Sequence, residues 1–339
     1  MNLKFYFLLI AAVAAIVSVQ SMRADEATPQ TLTLRQAQGI AITNHPRITE
    51  AELISLASKQ VVRESRSAFF PSISADATAV DSTANNTRIA AGGLNNPLIL
   101  TREADGINVS QLITDFGRTA NLTSSSKWQS RAQEQNVLAT RAEILLAVNS
   151  AYFHALQAQS ILTVARQTVA TRQFTFDQVS ELATNKLRSG LDVSFASVDL
   201  ASSKLLLANA NNDLQASFAT LSNVLGERVQ TNYQLLEEPV PSGALPEDSQ
   251  LVQTALRDRP DLMQLRYQRD AADAFAHAEK DLNYPTISAF GAAGILPTHD
   301  PAMRNDYAAA GVNLSLPIFE GMLFTAREKE AQLKARASG

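Results

Sequence analysis

The sequence predicts a mainly helical protein that also carries two pairs of β-strands, and three observations lead there. The chain contains an internal repeat. Segments after Pro71 and Pro285 alternate apolar and polar residues with the period of a strand. Between the strand pairs runs a proline-free stretch long enough for a helical hairpin deeper than any compact domain.

The repeat comes first, because missing one misreads the whole fold. "NHPRITEAELISLASKQVVRESRSAFFPSISA" (Asn44 to Ala75) aligns without a gap on "DRPDLMQLRYQRDAADAFAHAEKDLNYPTISA" (Asp258 to Ala289), placing Pro46 on Pro260 and Pro71 on Pro285 at an offset of 214 residues. "GINVSQLI" (Gly106 to Ile113) matches "GVNLSLPI" (Gly311 to Ile318) at an offset of 205, so the second copy has the shorter loop. The first copy is expected over 30–243 and the second over 248–339. On this period the second copy is incomplete, and the polar ending "REKEAQLKARASG" reads as a long helix cut short.

At the other end, Lys4 precedes an apolar run from Phe5 to Val19, followed by small and polar residues. This is the pattern of a secretory signal peptide, expected over residues 1–24 with cleavage after Ser21 or Ala24. The run is shorter than the ~20 residues of a membrane-spanning helix. Past residue 27 there is no apolar run of 18, so membrane insertion of the mature chain has to use β-strands.

Strands are expected at about 71–80 and 106–113 in the first copy and about 285–293 and 310–318 in the second. In "SISADATAV", Ile73, Ala75, Ala77 and Ala79 alternate with Ser72, Ser74, Asp76 and Thr78. Val312, Leu314, Leu316 and Ile318 alternate with Asn313 and Ser315. Such alternation fits strands between lipid and a wet lumen, and it also fits a soluble hairpin with one buried face. Four strands cannot close a barrel, which takes about eight, so membrane strands require several chains to contribute.

The helical hairpin is expected over 117–226. Val148, Ala155, Leu162, Val169, Phe176 and Ala183 recur every seven residues, with Ile144, Ala151, Ala158 and Ala165 as a second register. Val193, Leu200, Leu207, Leu214 and Leu221 repeat the spacing on the return. Sustained heptads signal helices packed side by side, and the small residues permit two neighbours, as in a tube wall; an ordinary antiparallel coiled coil shares the pattern. Gly190 is expected to end the first helix in a left-handed conformation, with Asp192 or Ser194 capping the next. Gly226 ends the return helix, and a Pro-rich connector over 229–247 leads into the second copy.

Composition narrows the function. With 33 acidic and 29 basic residues the chain has no basic footprint for nucleic acid. Cysteine is absent, so there are no disulfides, no thiolate metal sites and no cysteine for a lipid anchor. His45, His154, His277 and His299 are scattered without metal-ligand spacing. No catalytic constellation and no cofactor motif is found. Asp177 and Glu181 share a helical face, as lumen-facing carboxylates or as part of a solvated surface. Phe116 and Trp128, near a strand-to-helix junction, fit either an interfacial aromatic belt or core packing.

A short helix, two membrane-type strands, a long helical hairpin and a second copy in the same order resemble the TolC-like outer-membrane efflux factor family. The resemblance covers about residues 30 to 339. Its pieces include "NHPRITEAE" and "RPDLMQLRYQRDAA", "AFFPSISA" and "LNYPTISA", "VSQLITDFGRTANL" and "LSLPIFEGMLFTAREKEAQ", and the hairpin "LRSGLDVSFASVDLASSKLLLANANNDLQASFATLSNVLGE". It implies a homotrimer in which each chain gives four strands to a twelve-stranded β-barrel in outer-membrane lipid and its hairpins to a periplasmic α-barrel. It implies a passive conduit of a tripartite efflux pump or type I secretion system, working with a periplasmic adaptor (membrane fusion) protein and an inner-membrane transporter. The hairpin tip, Arg188, Ser189, Gly190, Leu191 and Asp192, is the implied adaptor contact. Ser189 departs from the family's Val-Gly-Leu-type tripeptide, and a second tip is expected beyond residue 339. The competing reading is a periplasmic or surface coiled-coil protein with no channel activity.

Overall fold

A computed structural model describes residues 30–81, 87–88, 98–99, 101–239, 247–299 and 304–339. The expected signal peptide, most of the Asn- and Gly-rich segment after Val80, and residues 240–246 of the connector lie outside the described residues. The elements are β1 (Gln30–Leu32), α1 (Leu34–Asn44), α2 (Pro46–Ser67), β2 (Ser72–Val80), β3 (Thr87–Arg88), β4 (Leu98–Ile99), β5 (Arg102–Thr114), α3 (Arg118–Thr184), α4 (Gly190–Leu225), β6 (Tyr233–Leu235), α5 (Asp248–Asp258), α6 (Pro260–Lys280), β7 (Thr286–Ile295), β8 (Asp306–Ser315) and α7 (Leu323–Ala337). The chain forms two compact units that interleave in sequence, Met1–His45 with Leu145–Pro241, and Pro46–Ile144 with Ser242–Gly339.

The first unit is built on the hairpin. The heptad positions of α3 from Val148 to Ala183 and of α4 from Val193 to Leu221 are all buried or half-buried, with burial deepest away from the turn. Tyr152 is fully buried and its hydroxyl lies 2.6 Å from the Leu236 carbonyl and 2.9 Å from the Leu32 carbonyl. One phenol thereby ties the hairpin to β1 and β6, which pair in parallel with Leu32 opposite Leu235. Thr33 opens α1 with a capping box completed by Gln36. At the end of α4, Gly226 adopts φ 76, and the N–H groups of Gly226 and Glu227 return to the carbonyls of Asn223 and Ser222. That is a Schellman close, and glycine fits it for two reasons. A Cβ at Gly226 would be strained in the left-handed region and would sit 2.9 Å from the Asn44 carbonyl oxygen.

The turn of the hairpin differs from the sequence expectation. Gly190 is not left-handed; it is the first residue of α4, and a Cβ there would meet nothing within 4 Å. The left-handed residue is Lys186, φ 60, four positions earlier. Its N–H reaches the Ala183 carbonyl at 2.9 Å and the Leu187 N–H reaches the Leu182 carbonyl at 2.8 Å, again a Schellman close. The cap of α4 is Ser189, whose hydroxyl accepts from the Asp192 N–H while the Asp192 carboxylate accepts from the Ser189 N–H. Asp192 is therefore the third helical residue of a capping box rather than the cap itself, and the Ser194 hydroxyl donates back to the Gly190 carbonyl.

In the second unit, α2 runs beside the opening of α3 along a seam of small polar contacts. The hydroxyls of Ser65 and Ser126 are 2.7 Å apart, the Ser58 hydroxyl reaches Ser130 at 3.1 Å, and Ala51, Ser55 and Ala132 are buried. Ion pairs Lys59–Glu134, Arg141–Glu52 and Arg47–Glu143 flank the seam. Trp128 is half-buried and stacks on Tyr267 at 5.6 Å with the Arg131 guanidinium over its ring, so it packs inside the unit. α6 and α7 meet through Ala271, Ala278, Ala331 and Ala335, and buried Glu279 pairs with Arg327 at 2.7 Å.

Candidate functional site

Four strands form one antiparallel sheet in the order β2-β5-β7-β8, so strands from the two sequence copies meet at its centre. The last strand, expected to 318, ends at Ser315, because Pro317 has no N–H with which to extend a ladder. Register aligns the alternation of all four strands. Ile73 pairs with Val109, Ala75 with Ile107, Ile107 with Ala293, Ala289 with Val312 and Ile287 with Leu314. Paired residues of an antiparallel sheet share a face, so these side chains form one apolar surface. Glu103, Asp105 and Asp306 stand on the same face at its loop end, as the pairs Ala79–Glu103, Ala77–Asp105 and Ile295–Asp306 require.

The opposite face carries Ser72, Ser74, Asp76, Asn108, Ser110, Ser288 and Asn313. Asp76 accepts from the Asn108 amide at 2.6 Å and from the Ser74 hydroxyl at 3.1 Å. Its bulk is kept low by aromatic rings lying over glycines. A Cβ on Gly294 would sit 2.6 Å from the Tyr307 ring, and one on Gly311 would sit 2.7 Å from the Phe290 ring. Neither face is covered by the other described residues: Ile73 is 70% exposed, while β2 is exposed along nearly its whole length. A soluble hairpin would bury its apolar face. Among the described residues no helix is long and apolar enough to cross a membrane.

The hairpin tip is the second candidate surface. Arg188, Ser189, Gly190, Leu191 and Asp192 lie together at the start of α4, with Leu187, Leu191 and Phe195 exposed. The hydrogen bonds that Asp192 receives from Ser189 hold its carboxyl below the usual carboxylate range. Asp177 and Glu181 sit on an exposed part of α3, with the Gln173 amide donating to Asp177 at 2.9 Å. Sequence reasoning missed Lys186 as the turn residue, and only hydrogen-bond geometry reveals it. Among the described residues no three His, Asp or Glu side chains gather as a metal site.

Comparison with known proteins gives one consistent picture. A family model described as outer membrane efflux protein matches residues 39–227, more than half of the chain. The chain is 25% identical over 253 residues to the probable outer membrane lipoprotein SilC of Salmonella typhimurium, covering 72% of this chain and 52% of that protein. It is 26% identical over 260 residues to the cation efflux system protein CusC of Escherichia coli strain K12, covering 72% of this chain and 53% of CusC. The chain thus spans about half the length of the curated relatives it matches. A crystal structure of CusC superposes with a TM-score of 0.73 at 18% identity, over 90% of this chain and 70% of that one, a likeness of fold.

Proposed function

This chain belongs to the outer membrane efflux protein family, and from that premise we propose that it is the outer-membrane component of a tripartite efflux pump or type I secretion system. It acts as a passive conduit, and its partners supply the energy. The observation that carries the reading is the four-stranded sheet, apolar on one face, polar on the other and exposed on both. Three copies in outer-membrane lipid supply twelve strands, enough to enclose a wet lumen on the polar face. The helical hairpins extend into the periplasm. Their tip, around Arg188, Gly190 and Leu191, docks on a periplasmic adaptor, which links the channel to an inner-membrane transporter. Asp177 and Glu181 face the tunnel. Because the relative CusC is named for cation efflux, cations are the first class of small-molecule cargo to test.

Envelope fractionation tests the reading. The full chain is expected in the outer-membrane fraction, with slower migration unheated than boiled. Recovery in the soluble periplasmic fraction, with no heat-dependent shift, would overturn it in favour of a soluble coiled-coil protein.

A further inference from the structure

The two copies of the repeat build equivalent helix pairs with different chemistry at their seams. α2 packs on α3 through two hydroxyl pairs, Ser58 with Ser130 at 3.1 Å and Ser65 with Ser126 at 2.7 Å. At the offsets of 214 and 205 residues read from the sequence, the second copy places Ala272 and Ala335 where the first has Ser58 and Ser130, and Glu279 and Ala331 where it has Ser65 and Ser126. The second offset carries through into the helices. The left-handed residues Phe116 and Gly117 fall on Gly321 and Met322, and the start of α3 at Arg118 falls on the start of α7 at Leu323.

Both hydroxyl pairs are therefore absent from the seam between α6 and α7, and a buried charge stands there instead. Glu279 is 2% exposed. Its carboxylate meets the Arg327 guanidinium at 2.7 and 3.1 Å, and Arg327 occupies the position of Leu122 in the first copy. No other cation pairs with Glu279 among the described residues; Lys334, which lines the same small cavity, is taken by Glu330 at 2.6 Å. Both seams close over small residues, with Ala51 and Ala132 buried in one and Ala278 and Ala331 in the other. Outline alone thus distinguishes the two helix pairs poorly.

We propose that Glu279 and Arg327 decide which helices pair: they hold α7 on α6 and reject the crossed arrangements, α6 on the face of α3 that α2 occupies and α7 on α2, within one molecule and between molecules. An internal repeat makes these arrangements competitors, because each helix is offered two sites of similar outline. Crossing α6 onto that face of α3 would bury the Glu279 carboxylate against Leu122 and Ser126, where no cation stands. Crossing α7 onto α2 would set the Ser65 hydroxyl against Ala331 and strip Arg327 of its carboxylate. A buried carboxylate deprived of its cation is heavily penalised, whereas the correct ion pair adds little over a neutral seam. The pair therefore discriminates more than it stabilises.

The test exchanges the seams in the full chain. One variant gives the second seam the residues of the first (Glu279→Ser, Arg327→Leu, Ala331→Ser). Another gives the first seam the residues of the second (Ser65→Glu, Leu122→Arg, Ser126→Ala), and a third carries all six changes. Each is refolded from urea into detergent and followed by the fraction recovered at the parent's assembled mass. Emission of Trp128, the single tryptophan, gives a second readout, because its ring stacks on Tyr267 at 5.6 Å between α3 and α6. The first two variants, whose seams are alike, are expected to lose at least half of that fraction to other masses, while correctly assembled molecules of the first keep the parent's urea midpoint. The six-residue variant, whose seams differ again, is expected to recover most of the loss together with the parent's emission. Parent-like assembly of the first variant would show that Glu279 and Arg327 play no part in pairing. A six-residue variant that assembles no better than the poorer of the other two would assign the pair to local packing and overturn the proposal as well.

Discussion

Gly190 and Gly226 both mark ends of the same helix, yet their substitutions are expected to behave differently. Gly226 is left-handed and pressed against Asn44 and His45, so Gly226→Ala should cost about 2 kcal/mol in denaturant unfolding through strain and contact. Gly190 has ordinary angles and open space, so Gly190→Ala should stay within about 0.5 kcal/mol of the parent. Loss of adaptor cross-linking in a variant that folds normally would then report on docking rather than on folding. Lys186, left-handed with a Cβ, should gain about 0.5–1 kcal/mol on replacement by glycine. Tyr233 offers a pH test. Burial, followed by its hydrogen bond to Glu227, pushes its hydroxyl up to about 12. The folded value is raised above the unfolded one near 10, so this contribution is complete below pH 10 and is lost as pH climbs towards 12. The unfolding free energy from urea titrations should fall across that window by an amount on the order of 2 kcal/mol, and the Tyr233→Phe variant should lack that component.

Elements in this protein are shaped by what they must approach. Along the hairpin small residues such as Ala155, Ser203 and Ala210 are buried together with larger ones, of which Leu221 and Leu225 are fully buried. Leu221→Ala is expected to destabilise by about 3 kcal/mol through lost contacts and a residual cavity. On the proposed reading the sheet follows a different logic, with its burial completed by lipid. Ala309 and Ala310 are neighbours on β8 facing opposite sides. Ala310→Arg should lower barrel stability in vesicles by about 2–4 kcal/mol, and Ala309→Arg, on the lumen side, by far less. Equal losses at the two positions would contradict the assignment of faces.

At the scale of the whole molecule, β2 and β8 are the free edges of the sheet among the described residues. Unpaired edges invite another chain, and in the proposed trimer closure would join β2 of one protomer to β8 of the next. The cysteine-free sequence makes this simple to test. A cysteine on β2 at Ala75, combined in turn with Ala308→Cys, Ala310→Cys or Val312→Cys on β8, should give oxidised dimers and trimers for one register. A purely intramolecular product in every combination would argue against closure between copies.

Local periodicity is written in the chain, and the sequence alone determined everything that follows from it. A two-residue period marked Ile73 to Ala79 as strand, a seven-residue period marked Val148 to Ala183 and Val193 to Leu221 as the packed faces of a hairpin, and matching prolines exposed the repeat. It also located the tip within a few residues. Tertiary structure alone decided that β5 lies beside β7, which no local pattern encodes because strand neighbours are chosen by long-range closure. It decided that Lys186 rather than Gly190 turns the hairpin, since a Schellman close depends on which carbonyls the turning N–H groups can reach. It also showed Phe116 and Met322 as left-handed residues, where the backbone adopts a conformation that the residue types themselves disfavour.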